Sequence, residues 1–278
     1  MDNRLPTLLT IGPSHYCEKA RWALDYLNIE YQEEICTPIF NMIHNRKYKA
    51  KTLPILLIDD LILKDSTEIL QYLDKKTGYG TLYPIDGDEK KQVEELEDLF
   101  DKDLGTHTRR WAYFYILERE DLMIDIFCLG ANPLEEAIFQ TFFPIVKYMF
   151  KASMRINVQG AERSRSKIEQ VFEKVENLLS DGRKYLTGDK ITAADITFSS
   201  LALPIILPNG YSFRQGDKAN LSDDDLNREM EVVEEKIYWI DRVPTIMADE
   251  VRAFRETKAG KFALEMYKNH RHQSILKN

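Results

Sequence analysis

Gly12-Pro13-Ser14-His15-Tyr16-Cys17-Glu18-Lys19-Ala20-Arg21-Trp22 joins a short apolar run to a helical pattern, and the architecture follows from that junction. The run Thr7-Leu8-Leu9-Thr10-Ile11 has the character of a buried strand. Beyond the junction Ala20, Ala23, Leu24 and Leu27 recur at helical spacing until Asn28. A strand that hands a small polar or thiol residue to a helix N-terminus sets up anion chemistry. The first N–H groups of the helix lack intrahelical acceptors, and its dipole favours negative charge there, a thiolate included. Ser14 and Cys17 stand three apart, the spacing of a Cys-x-x-Cys redox pair with serine in the first position.

Working outward, Tyr31–Cys36 reads as a second strand, which completes a strand–helix–strand unit of the size a parallel crossover needs. Phe40–Ala50 is polar and basic, a short helix or a loop. Leu53–Ile58 and Leu61–Leu63 are strands joined by Asp59-Asp60, and a helix starts near Ser66, carries Ile69, Leu70 and Leu73 on one face, and stops at Gly78. Pro54 at the start of a buried strand removes a ladder donor. One resolution is a cis Leu53–Pro54 peptide that turns the Leu53 backbone towards the Ser14 site. Asp65 at N-cap with Glu68 three residues on is a capping arrangement. The Ser66 N–H and hydroxyl beside it suit a ligand carboxylate.

The chain has 278 residues, enough for two domains, with 44% apolar and 30% charged residues and a net charge of −8. That acidity argues against nucleic acid or an anionic membrane as the main partner. Three scattered cysteines, Cys17, Cys36 and Cys128, form neither a disulfide framework nor a metal site, and no metal is expected. Met1-Asp2-Asn3-Arg4 carries no signal-peptide core and no apolar run is long enough to span a bilayer, so a cytoplasmic chain with reduced thiols is expected.

The remainder reads as all-helical. Leu82-Tyr83-Pro84 ends the first unit, giving domains at 1–83 and 84–278. Val93, Leu96, Phe100, Leu104, Trp111 and Phe114 mark one helix, and Asn132-Pro133 starts another that runs through the very apolar 137–150. That stretch is read as bundle core, with an apolar substrate pocket or a dimer contact as the alternatives. Ile168 to Leu179 is an amphipathic stripe. Thr192-x-x-Asp195 is a capping box, and Pro204 and Pro208 are read as ending the helix it starts. Asn209–Asp225 is a polar loop, and Val232, Val233, Ile237 and Tyr238 belong to further helices.

Four segments in order resemble the glutathione transferase superfamily: Ser14-His15-Tyr16-Cys17-Glu18-Lys19-Ala20-Arg21, Thr52-Leu53-Pro54-Ile55-Leu56, Asp65-Ser66, and Tyr185 to Ile196 with Gly188-Asp189 and Asp195. The resemblance covers about residues 5–205. It implies a thioredoxin-like N-terminal α/β domain followed by an all-helical domain, a homodimer, glutathione as co-substrate and an apolar pocket at the domain junction. Carried over by position, Ser14 is the catalytic residue, Leu53 before Pro54 pairs its backbone with the cysteinyl part of glutathione, and Asp65 and Ser66 hold the γ-glutamyl end. Many members hold the glycyl carboxylate with a Lys or Gln where this chain has Thr52; Lys51, Lys49 or His44 are the substitutes.

The expected reaction is conjugation of the glutathione thiolate to a small apolar electrophile, as in detoxification. Tyr16, Arg110 and Tyr113 are candidates for the substrate pocket. Lys19 and Arg21 are read as solvated or salt-bridged, with Arg21 bracing the first helix against the helical domain. Two other readings stay open: a glutathione-dependent thiol reductase or peroxidase using Cys17, and an interaction protein with a vestigial site. Cys36 and Cys128 are read as structural.

Overall fold

The computed structural model describes residues 5–78, 80–129, 131–209, 211 and 239–271. A four-stranded sheet in the order β2-β1-β3-β4 is built from β1 (Thr7–Thr10), β2 (Gln32–Ile35), β3 (Ile55–Ile58) and β4 (Leu61–Leu63). β1 and β2 run parallel with Thr7 opposite Gln32, as the crossover through α1 (His15–Tyr26) requires. β3 is antiparallel to β1 with Leu8 opposite Leu56. The segment at 40–50 is a helix, α2 (Pro38–Tyr48), and α3 (Ser66–Lys76) follows β4. β3 starts at Ile55, so Pro54 stands outside the ladder, and the Leu53–Pro54 peptide is cis. This is the thioredoxin-like half, and an all-helical half follows it.

The helical half contains α4 (Gly87–Leu99), α5 (Thr106–Ile116), α6 (Glu120–Cys128), α7 (Pro133–Met154), α8 (Val158–Leu178) and α9 (Ala193–Ile206). After Trp239–Arg242 it closes with α10 (Thr245–Glu256) and α11 (Lys258–Met266). The single helix expected over Val93–Phe114 is two, α4 and α5, joined by a π-helical turn at Phe100–Gly105. Asn132 caps α7 as expected, accepting from the Glu135 N–H with Pro133 in the first turn. Thr192 and Asp195 form the capping box of α9, and the Asp195 carboxylate also accepts from Leu186 N–H at 2.8 Å. Pro204 lies inside α9 and does not end it; the helix stops at Leu207, whose φ is +37°. Leu207 and Pro208, not Pro204, mark that end. Of the expected loop Asn209–Asp225, all but Asn209 and Tyr211 lies outside the described residues, as do Val232, Val233, Ile237 and Tyr238.

One continuous apolar core runs from Trp22 and Leu70 in the first half to Phe100, Trp111 and Phe198 in the second. α9 is buried on every side and packs on α1, α4, α5 and α11. Polar bonds cross the same seam. Lys19 Nζ, fully buried, lies 2.9 Å from Glu97 Oε1 and 2.9 Å from Asp101 Oδ2. Burial opposes the Lys19 charge, but Glu97 and Asp101 outweigh it and raise its pKa. Arg21, expected to brace the helical half, instead pairs with Glu33 of β2 at 2.6 Å; Lys19 is the brace.

Candidate functional site

β1 delivers Gly12 and Pro13 to the end of the sheet, and Ser14 caps α1 there. Its Oγ accepts the Cys17 N–H at 3.3 Å. One lone pair is thereby spent on the helix, and the same hydroxyl lies against the Cys17 thiol, whose pKa it lowers. Ser14 is half-buried and lines a cavity of about 540 Å³ between the two halves. Pro13 and His15 form its floor, Met42 of α2 one wall, and Tyr113, Phe142 and Phe150 of the helical half the other. α7 is held over it by a bond from Thr37 N–H, at the start of α2, to Glu135 Oε2 at 3.1 Å. Phe142, Ile145 and Met149 are each close to half exposed, so the mouth of the cavity is apolar.

His15 is buried and donates its Nε2–H to the Gly105 carbonyl at 2.8 Å. Burial, reinforced by Arg109, pushes its pKa down to about 3, so the ring is neutral at physiological pH. Tyr113 stacks on Phe150 with centroids 5.4 Å apart and planes 2° from parallel. Burial pushes its hydroxyl up to about 12, and it stays protonated.

The other residues named from the sequence divide into three groups. Asp65 caps α3, with Oδ1 accepting from Thr67 N–H at 2.9 Å and from Glu68 N–H at 3.3 Å, and Ser66 is buried in its first turn. Glu68 reaches back to Lys64 N–H at 2.9 Å. The start of α3 is tied to α1 by Lys19 Nζ donating to Thr67 Oγ1 at 2.9 Å, and Leu53 packs with Cys17, Leu9 and Ile55. Ser14, Leu53 and the Asp65–Ser66 pair thus gather at one end of the sheet.

Lys51 and Lys49 are exposed, with no side-chain partner among the described residues. α2 instead presents Asn41 Oδ1, His44 Nδ1 and Asn45 Oδ1, buried polar atoms without a partner there.

Tyr16 and Arg110 stand apart from the cavity. Tyr16 donates to the Asp101 carbonyl at 2.7 Å, its hydroxyl filling the space over Gly105. Arg110 donates to the Met154 carbonyl at 2.7 Å and to Ser164 Oγ at 3.1 Å, pinning the end of α7 to α8. The arginine at the cavity is the preceding residue, Arg109, which the sequence places in the same cleft-facing region although Arg110 is the one expected to contact substrate. Its spacing of four from Tyr113 was the available signal, since positions four apart share a helix face.

Cys17 is wholly buried and faces the core; desolvation raises its thiol pKa against the lowering by Arg21 and Ser14. Cys36 donates its thiol to the Thr10 carbonyl at 3.2 Å, and Cys128 is pushed up to about 12 by burial. All three are free thiols. Among the described residues no cluster could hold a metal ion, and no helix is long and apolar enough to cross a membrane.

Two family models match the chain: the glutathione S-transferase N-terminal domain over residues 8–80 and the glutathione S-transferase C-terminal domain over residues 159–202. No curated protein matches it by sequence. Solved structures share its fold at low identity. A beta-etherase from a Sphingobium strain matches with a TM-score of 0.54 at 16% identity, over 94% of this chain and 98% of that one. A glutathione transferase from Populus trichocarpa matches with 0.52 at 14%, over 94% and 98%. A glutathione transferase from Bombyx mori matches with 0.51 at 18%, over 96% and 99%. The chain thus matches the glutathione S-transferase N-terminal and C-terminal domain models in that order, and shares its two-part fold with these solved structures.

Proposed function

We propose that the protein is a glutathione transferase in which Ser14 activates the glutathione thiol for addition to apolar electrophiles. The observation that carries this reading is the Ser14 hydroxyl. It sits at the α1 N-terminus with a lone pair tied to Cys17 N–H and opens on an apolar cavity of about 540 Å³. A free thiol with a pKa near 8.5 is only about 3% ionised at pH 7, and lowering that pKa by roughly 2 units takes about 2.7 kcal/mol. A hydroxyl donating to sulfur plus the helix N-terminus behind it is of that size. The thiolate sulfur then forms the bond to the electrophilic carbon, and the displaced group leaves with its electron pair.

Within this reading Leu53 and Pro54 flank the cysteinyl part, Asp65 and Ser66 take the γ-glutamyl end, and His44 of α2 is a better holder of the glycyl carboxylate than the outward Lys51 or Lys49. The domain boundary falls at Tyr83 and Pro84, and the protein is a cytoplasmic homodimer acting in detoxification. The buried, raised Cys17 thiol favours conjugation over thiol reduction, because a redox cysteine needs access and thiolate character.

The test is the ultraviolet thiolate absorbance of bound glutathione across pH, in wild type and Ser14→Ala. The expected result is a depressed thiol pKa that returns by roughly 2 units towards its free value in the variant. Binding with an unshifted pKa in wild type refutes the activation step.

A further inference from the structure

The cavity beside Ser14 is apolar on nearly every side, yet a guanidinium projects to its lining. Of the described residues that line it, Arg109 is the one charged at neutral pH, since His15 is neutral and no Asp, Glu or Lys contributes. Arg109 Nε is buried and has no acceptor among the described residues, and the same side chain reaches a second small cavity of about 70 Å³ behind Tyr113. Among the described residues the two fully buried arginines are matched: Arg21 by Glu33 and Arg271 by Glu18. A buried guanidinium N–H without an acceptor costs free energy that an anion would recover, and charge-assisted bonds are the strong ones.

The surroundings point the same way. Arg110, Arg155 and Arg163 crowd this end of the helical half, where burial and then Arg163, Arg109 and Arg155 depress the Arg110 pKa. His15, held neutral, offers no competing positive charge within the cavity. Tyr113, one turn beyond Arg109 and protonated, offers a second donor.

We propose that the cavity selects apolar ligands that carry one anionic group, a carboxylate or sulfonate, with Arg109 receiving the anion and the α7 side chains the apolar body. The part of this that names substrates rests on the transferase reading; the binding part does not. Two probes that differ by a sulfonate separate them: 8-anilinonaphthalene-1-sulfonate and its neutral parent N-phenyl-1-naphthylamine, titrated by fluorescence without glutathione. Wild type is expected to bind the sulfonate at least tenfold more tightly. Arg109→Met should lose about ten- to a hundredfold for the sulfonate, the range of a hydrogen bond to a charged group, and leave the neutral probe within about twofold. Arg109→Lys, which keeps the cation on a shorter stem, should retain part of the preference and guards against a misfolded Met variant. Equal affinity of wild type for both probes, or equal loss of both in Arg109→Met, overturns the proposal.

A second arm uses 4-chloro-3,5-dinitrobenzoate and its methyl ester as electrophiles. The glutathione sulfur bonds to C4 and chloride leaves with the electron pair. The acid is expected to be preferred in kcat/KM, and Arg109→Met to remove that preference. If Arg109→Met instead raises the KM for glutathione and slows both electrophiles alike, Arg109 serves glutathione and the proposal fails. Turnover of neither electrophile with the sulfonate preference intact counts against the transferase reading and upholds the anion site.

Discussion

Arg271 offers a sharp test of how the end of the described chain supports the start. Its guanidinium, 1% exposed, donates from Nε to Glu18 Oε1 at 2.5 Å and from Nη1 to Asp25 Oδ2 at 2.5 Å, and lies 5.8 Å from the Trp22 ring centre. Removing one partner of a buried ion pair costs about 3–5 kcal/mol, because the other charge stays buried. Glu18 would keep the Tyr211 hydroxyl at 2.6 Å and Arg21 at 3.8 Å, which sets the loss at the low end, about 3 kcal/mol. The lost cation–π contact adds about 0.5–1 kcal/mol. Arg271→Met is therefore expected to lower the melting temperature by roughly 6–15 °C, read by circular dichroism and by tryptophan fluorescence. The double variant Glu18→Gln/Arg271→Met should lose less than the sum of the single variants by about 1.5 kcal/mol or more, since an amide needs no cation. A single variant melting within about 2 °C of wild type, or strict additivity in the double, would refute the account.

Two further perturbations test the seam beneath the cavity. His15 has its pKa depressed from 6.5 to about 3, so between those values the unfolded chain binds the extra proton and stability falls as pH falls. From pH 7 to pH 5 this group should cost about 2 kcal/mol, and His15→Gln should remove that part of the pH dependence in guanidinium titrations; an unchanged slope would show the ring already protonated or exposed. A Cβ at Gly105 would sit 2.4 Å from the Tyr16 oxygen and 3.1 Å from Leu201 Cδ1, so Gly105→Ala should destabilise by about 2 kcal/mol through overpacking and the lost bond to Asp101. Adding Tyr16→Phe should recover part of it in thermal melts, and no destabilisation at all would mean Tyr16 moves aside freely.

The architecture was legible because local signals agreed with it. The strand–helix junction, the Asp59-Asp60 connection, the Asp65 cap, the Asn132-Pro133 start and the Thr192/Asp195 box each name their own neighbours. What escaped depended on partners distant in sequence. Lys19 and Arg21 look alike along α1, yet only the fold decides that Lys19 meets Glu97 and Asp101 while Arg21 turns to Glu33. Arg109 and Arg110 are adjacent, and the π-helical turn at Phe100–Gly105 breaks the α-helical count that would have separated them. Pro204 reads as a stop, but one proline within a helix wholly enclosed by α1, α4 and α5 is tolerated by packing.

The bond between Arg271 and Glu18 spans 253 residues of sequence, and it bears on how the protein is made. At about 5–20 residues per second, a ribosome completes α1 roughly 13–50 s before it adds Arg271. Through that interval Glu18 is without its later cation, and Lys19 waits for Glu97 and Asp101 until α4 and the π-helical turn have emerged. The nascent first half therefore carries charges it cannot yet bury. Its surface on α1 is covered only once the later chain has been synthesised, so the half that is made first gains the last of its buried ion pairs at the end of synthesis.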